Sequence, residues 1–200
     1  MQNRPESDEH LLQRIRTGDE SAFLALYRRL QGGIYRFALQ MSGSAAAAED
    51  VTQEVFLALI RDGFGFDSNR GTLAGYLYGI ARKQVLRHLE RDRIDVPLAE
   101  DDGEERQMAS PGDVFGDLTR KQSIESVRAA VLALPRRYRE VVVLCDLEEM
   151  DYAAAAEALG CAVGTVRSRL HRARALLVDK LNRGTPDPAA GGLQPARCLI

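Results

Sequence analysis

The sequence predicts an all-α chain of two small helical domains joined by a flexible acidic linker. Three observations predict it. Apolar residues recur three and four apart from Asp19 onward, with no strand-like alternation in competition. An acidic stretch carrying proline and glycine interrupts that pattern between Asp95 and Asp117. The segment Tyr152 to Leu181 then has the alanine, glycine, aliphatic spacing of a helix-turn-helix. The expected divisions are residues 1–94, a linker over 95–118, a second domain over 119–183, and a disordered tail over 184–200.

At 200 residues the chain can bury one large core or two small ones, and 45% hydrophobic with 28% charged residues is the composition of a soluble globular protein. No apolar run approaches the ~20 residues that span a bilayer, and Met1 to Glu6 lacks a signal-peptide core. The expectation is a cytoplasmic protein that does not insert in membranes. Cys145, Cys161 and Cys198 form no Cys-x-x-Cys pair, so neither a disulfide framework nor a zinc ribbon is indicated. Cys145 and Cys161 stand among aliphatic residues and are expected to be buried as small hydrophobes.

In the first domain, Asp19 is the N-cap candidate for a helix carrying Phe23, Leu26, Tyr27, Leu30, Ile34, Phe37, Ala38 and Met41 at helical spacing. The next helix, Ala45 to Arg61, has two faces. Val51, Val55, Ala58 and Leu59 cluster toward the core, whereas Asp50, Gln53, Glu54, Leu57 and Arg61 gather on the opposite side. A leucine ringed by acidic and amide groups fits a docking surface for a basic partner helix, although single exposed leucines are also common. After the Gly63 to Asp67 loop, Gly71 to Arg93 mixes Tyr76 and Tyr78 with Arg82, Lys83, Arg87, Arg91 and Arg93. Flat rings stack on unpaired bases while guanidiniums hold the phosphate path, so this helix suits single-stranded nucleic acid. Tyr76 also falls beside Leu73, Leu77 and Ile80, where it would be core instead.

The linker carries Asp95, Glu100, Asp101, Asp102, Glu104, Glu105, Asp113 and Asp117 against Arg106. In the helix-turn-helix, Ala156 sits where two helices must touch, Gly160 supplies the left-handed turn residue, and Val166 plugs the second helix onto the first. Val166, Leu170, Ala173 and Leu177 form the apolar stripe of that second helix. Arg167, Arg169, Arg172 and Arg174 fill its other faces, in a chain whose formal net charge is -2. A cationic helix on a mildly acidic protein suits DNA phosphates and the O6/N7 edge of guanine. After Gly184, Pro186, Pro188 and Pro195 forbid a stable helix.

Two motif sets carry a family resemblance. Ala48-Glu49-Asp50-Val51-Thr52-Gln53-Glu54-Val55-Phe56-Leu57, with Phe66-Asp67, Arg70-Gly71 and Tyr76-Leu77-Tyr78-Gly79-Ile80-Ala81-Arg82-Lys83, closely resembles the second conserved region of bacterial sigma factors. Leu134-Pro135, Arg139-Glu140-Val141-Val142 and Gly164 to Arg174 resemble the fourth. With these two regions and an acidic connector, the chain is similar to the extracytoplasmic-function branch, over about Asp19 to Leu181.

The resemblance implies a dissociable specificity subunit whose partners are core RNA polymerase and promoter DNA, both double-stranded and melted. It places the contact with a coiled coil of the largest polymerase subunit on Asp50, Gln53, Glu54 and Leu57. Minus-ten DNA falls to Asp67, Asn69, Arg70, Tyr76, Tyr78, Arg82 and Lys83, and the minus-thirty-five element to Arg167, Ser168, His171, Arg172 and Arg174. Family members are commonly held by an anti-sigma partner. Two departures stand out: Tyr76 replaces a usual tryptophan, and Ala153 and Ala154 replace usual acidic residues. Opening would draw on binding energy alone, because the chain has no Gly-x-x-x-x-Gly-Lys loop and His10, His88 and His171 are scattered, so no cofactor, metal or catalytic residue is expected. The competing reading is a helix-turn-helix regulator with an N-terminal sensing or dimerisation domain, which leaves the docking face and the aromatic, basic helix without a purpose. A nucleic-acid enzyme would need clustered carboxylates or a metal site near the basic helices.

Overall fold

A computed structural model describes residues 6–62, 66–68, 71–94 and 117–184. Among these residues every regular element is helical: α1 (Asp8–Arg16), α2 (Glu20–Ser42), α3 (Ala45–Asp62), α4 (Leu73–Ile94), α5 (Asp117–Leu132), α6 (Arg136–Val142), α7 (Tyr152–Leu159) and α8 (Val163–Gly184). Residues 95–116 of the expected linker and 185–200 of the expected tail lie outside the described residues, as do the site candidates Asn69 and Arg70. Two boundaries move slightly: Asp117 and Leu118 already belong to α5, and Gly184 still belongs to α8.

Local chemistry sets the ends of these helices. Asp19 caps α2 by accepting from the Ser21 and Ala22 N–H groups at 2.9 and 3.2 Å, and Gly43 closes the helix at φ +74°. Hydrogen bonds from Ser21, Arg14 and Ala22 hold the Asp19 carboxyl well below the usual carboxylate range. Helix α1, which the sequence reading left unassigned, is capped by Ser7 and buries Leu11 and Leu12. Arg14 ties it to its surroundings through Glu6 at 2.9 Å and Asp19 at 2.8 Å.

The predicted core positions of α2 and α3 point inward. Leu26, Ile34, Phe37, Ala38, Met41, Val51, Val55, Ala58 and Leu59 are buried, and Phe23, Tyr27 and Leu30 are half-buried.

In the second domain, Asp151 caps α7 by accepting from the Ala153 and Ala154 N–H groups, both at 2.9 Å. Gly160 ends the helix at φ +63°. An added Cβ at Gly160 would meet nothing within 4 Å. Gly160→Ala therefore tests backbone conformation alone, and an expected loss of about 1 kcal/mol is measurable by urea unfolding. An unchanged midpoint would show that the turn does not depend on glycine.

Between α6 and α7 the backbone departs from α-geometry. Val143–Leu147 forms a π-turn, with the Glu148 N–H donating to the Val143 carbonyl at 2.9 Å. Glu149 then takes φ +54°, an uncommon conformation outside glycine. This irregular corner carries Asp146 and Glu148, whose side chains act far from it in sequence.

The two halves are not separate bodies. One contiguous core runs from Leu11 and Phe37 through Leu77, Tyr78 and Ala81 to Val142, Ala155 and Leu170. Helix α7 lies against α4, and α5 and α6 touch α2. Arg139 fastens this junction from within. Its guanidinium donates to the Met41 carbonyl at 2.7 Å and the Leu134 carbonyl at 3.1 Å, and it also reaches the Leu132 carbonyl. A cation near the C-terminal carbonyls of α2 and α5 is favourably placed, although burial lowers its proton affinity.

Cys145 and Cys161 are half-buried against this core, less enclosed than the sequence reading expected. Burial chiefly, with Asp146 nearby, pushes the Cys145 thiol up to about 11.

Candidate nucleic-acid and docking surfaces

Helix α8 presents the first surface. Val166, Leu170 and Ala173 turn inward, so Arg167, Ser168, His171, Arg172 and Arg174 are all exposed. Ser168 Oγ donates back to the Thr165 carbonyl at 3.1 Å, and the Arg167 guanidinium lies 5.9 Å from the centre of the Tyr152 ring. Arg174 differs from its neighbours. Asp146 accepts from it at 2.6 and 3.1 Å, and this paired hydrogen bond raises the guanidinium above its ordinary range. Its charge is locally balanced by a carboxylate that the π-turn delivers.

The second surface is the outer face of α3. Asp50, Gln53, Glu54 and Leu57 are all exposed, with Leu57 at 46%. Beside them lies a groove of about 620 Å³ between α2 and α3, lined by Tyr27, Tyr35, Gln53, Phe56, Leu57 and Ile60. Tyr27 and Phe56, both in its lining, have ring centres 4.7 Å apart with their planes tilted by 59°. Sequence periodicity found the leucine and its polar ring but missed the groove, because part of its lining, Tyr27 and Tyr35 included, comes from α2.

The third set, on and before α4, is divided by the fold. Asp67 and Lys83 are exposed. Tyr76 is half-buried against the core, with its ring 5.6 Å from that of Phe66. Tyr78 is buried, its ring edge-on to Phe37 at 5.6 Å and its hydroxyl donating to Glu148 Oε2 at 3.3 Å. Burial first, then the Glu148 charge, raises its phenol above the ordinary range. Arg82 donates to the buried Glu140 at 2.8 Å and more weakly at 3.5 Å. These acidic partners come from the second domain.

No helix of the described residues is long and apolar enough to cross a membrane. No group of three or more His, Cys, Asp or Glu among them could hold a metal ion.

Residues 26–94 match the family described as Sigma-70 region 2, and residues 124–177 match Sigma-70, region 4. The chain is 32% identical to the ECF RNA polymerase sigma factor SigE of Mycolicibacterium smegmatis, over 86% of this chain and 68% of that protein. It is 29% identical to the ECF RNA polymerase sigma factor SigW of Bacillus subtilis, over 85% of this chain and 94% of that one. The fold is similar to that of CnrH, solved in complex with the cytosolic domain of CnrY, with a TM-score of 0.69 at 24% identity over 90% of this chain and all of that one. Two motif regions in the same order, on the same helical scaffold, place this chain in the extracytoplasmic-function branch of the sigma-70 family: it is an RNA polymerase sigma factor.

Proposed function

We propose that the chain works as a non-catalytic, dissociable subunit in the cytosol, gripping core polymerase with α3 and reading a promoter with α4 and α8. The observation that carries this reading is the exposure of two chemically opposite surfaces on one chain. The α3 face offers carboxylates around an apolar anchor, and α8 offers arginines over an apolar back. The first suits a basic partner helix and the second a major groove.

In this reading Arg167, Ser168, His171 and Arg172 approach the minus-thirty-five bases, while Arg174, balanced by Asp146, serves chiefly to orient α8. Asp67, Asn69, Arg70, Tyr76, Tyr78, Arg82 and Lys83 hold the melted minus-ten strand. Opening costs a few kcal/mol of unstacking, which stacking on rings and phosphate contacts repay. The complexes solved for related folds include an anti-sigma partner, as in the NepR complex of a Bartonella quintana factor. A partner of that kind is proposed here too.

The test adds the purified chain to sigma-free core polymerase on promoter templates and maps the opened bubble with permanganate. A reactive bubble that needs both components is expected. Binding of duplex without core and without opening would mean a helix-turn-helix regulator instead. Arg172→Ala is expected to cost ~1–3 kcal/mol of discrimination at one base position if it reads a base edge. Competition binding over single-base variants reads this directly, and a uniform loss across all variants would mean a phosphate contact.

A further inference from the structure

Helix α8 carries Arg167, His171 and Arg174 in line on its outer face, spaced four and three residues apart. The first turns of a helix laid in a major groove reach base edges, and its later turns come beside backbone phosphates. Arg174 stands two turns after Arg167, about 10 Å further along the axis, and it is exposed. A free guanidinium there would meet a phosphate of any duplex, whatever its sequence.

What restrains Arg174 comes from outside the helix. Asp146 accepts from its Nη2 at 2.6 Å and its Nε at 3.1 Å through separate oxygens, a paired geometry that fixes the plane of the guanidinium. Asp146 first, and Tyr152 in smaller part, strengthen the hold of that guanidinium on its proton. The Tyr152 ring also lies 5.9 Å from the Arg167 guanidinium, so residues 146–152 support both ends of the outer row. Aim is given to the carboxylate by the π-turn over Val143–Leu147, whose extra residue rotates the chain by about 100° relative to a continuing α-helix. With Asp146 27% and Arg174 56% exposed, the pair sits at the surface where DNA can compete for it.

We propose that Asp146 is a positioning residue for promoter selectivity: it withholds Arg174 from DNA phosphates and fixes the angle at which α8 meets the groove. The inference rests on the reading of α8 as the minus-thirty-five reader. Base readout needs α8 in one register, which the pair sets, whereas binding to arbitrary sequence needs only cations near phosphates. A neutral side chain at 146 therefore strengthens arbitrary binding through the freed Arg174. It also weakens the advantage of the chosen site.

Salt dependence tests this. The unaltered full chain first selects a preferred duplex of about 20 base pairs from a random-sequence library, and fluorescence anisotropy compares it with a mixed-sequence duplex between about 50 and 200 mM salt. Asp146→Asn is expected to bind the mixed duplex ~3-fold more tightly at about 50 mM salt, with a salt slope steeper by about one. It is also expected to lose ~3-fold or more of the preference for the selected duplex. Arg174→Gln is expected to change mixed-duplex affinity less than about twofold in the unaltered chain, yet to cancel the gain in the Asp146→Asn background. An unchanged slope for Asp146→Asn, a loss on both duplexes, or a gain that Arg174→Gln does not cancel overturns the proposal. So does a shallower slope for Arg174→Gln alone, a measurement available even if Asp146→Asn does not fold. The underlying assignment has its own control, because Arg167→Gln with Arg172→Gln should abolish the preference. If the preference survives that pair, the assignment of α8 as the reader is what fails.

Discussion

Leu57→Arg is expected to weaken core polymerase binding by about 100-fold, equivalent to ~2.7 kcal/mol, while leaving the fold intact. The size follows from position. Leu57 is the apolar centre of a patch rimmed by Asp50, Gln53 and Glu54, and it borders a groove lined by Tyr27 and Phe56. Anchors of this kind dominate interface energy, whereas rim charges act more on encounter rate and salt dependence. Placing a cation at the anchor both removes the apolar contact and opposes a basic partner. Since Leu57 is 46% exposed in the free chain, stability should change by less than ~0.5 kcal/mol. Equilibrium binding to labelled core, beside a thermal melt of the free protein, separates the two effects. Asp50→Arg should show a smaller loss that shrinks as salt is raised. Core affinity for Leu57→Arg within twofold of the unaltered chain would remove α3 from the docking surface.

Arg82→Ala has the largest expected effect on stability. Glu140 is 2% exposed and Arg82 is its ion-pair partner at 2.8 Å. Removing the guanidinium strands a carboxylate inside the junction between the halves, and stranded buried charges cost ~3–5 kcal/mol. Arg82 keeps about a quarter of its side chain in water (27%), which favours the lower end of that range. The reverse change, Glu140→Ala, should cost less, because the orphaned arginine can turn toward solvent. Replacing both with Arg82→Met and Glu140→Leu should recover most of the loss. Urea unfolding of the unaltered chain, Arg82→Ala, Glu140→Ala and the doubly alanine-substituted chain completes a double-mutant cycle, with the Met and Leu replacement measured beside it. Equal losses for the two single changes, with no recovery in the double, would mean that the pair contributes through packing and not through charge.

That pair also marks where sequence reading stops. The helices α2, α3, α4, α7 and α8 are legible because their information is local: the Asp19 cap, the Gly160 stop, and apolar residues three and four apart. Helix α1 escaped notice because only Leu11, Leu12 and Ile15 mark its inner face within nine residues. The π-turn had no signal in composition, since Val143-Leu144-Cys145 reads as a continuing apolar helix. Nothing near Tyr78 in sequence predicts its burial against Phe37 or the Glu148 carboxylate that accepts from its hydroxyl.

By itself the sequence determined an all-helical chain, the family to which it belongs, and which helix faces are apolar, acidic or cationic, because each depends on residues within a turn or two of one another. Only the tertiary structure decided which of those faces remain open. Arg82 meets Glu140 across 58 residues, Arg36 meets Glu148 across 112, and Thr72 meets Glu157 across 85. Such pairings depend on how α7 crosses the glycine-lined side of α4, a matter of shape and space between distant segments that no local pattern encodes.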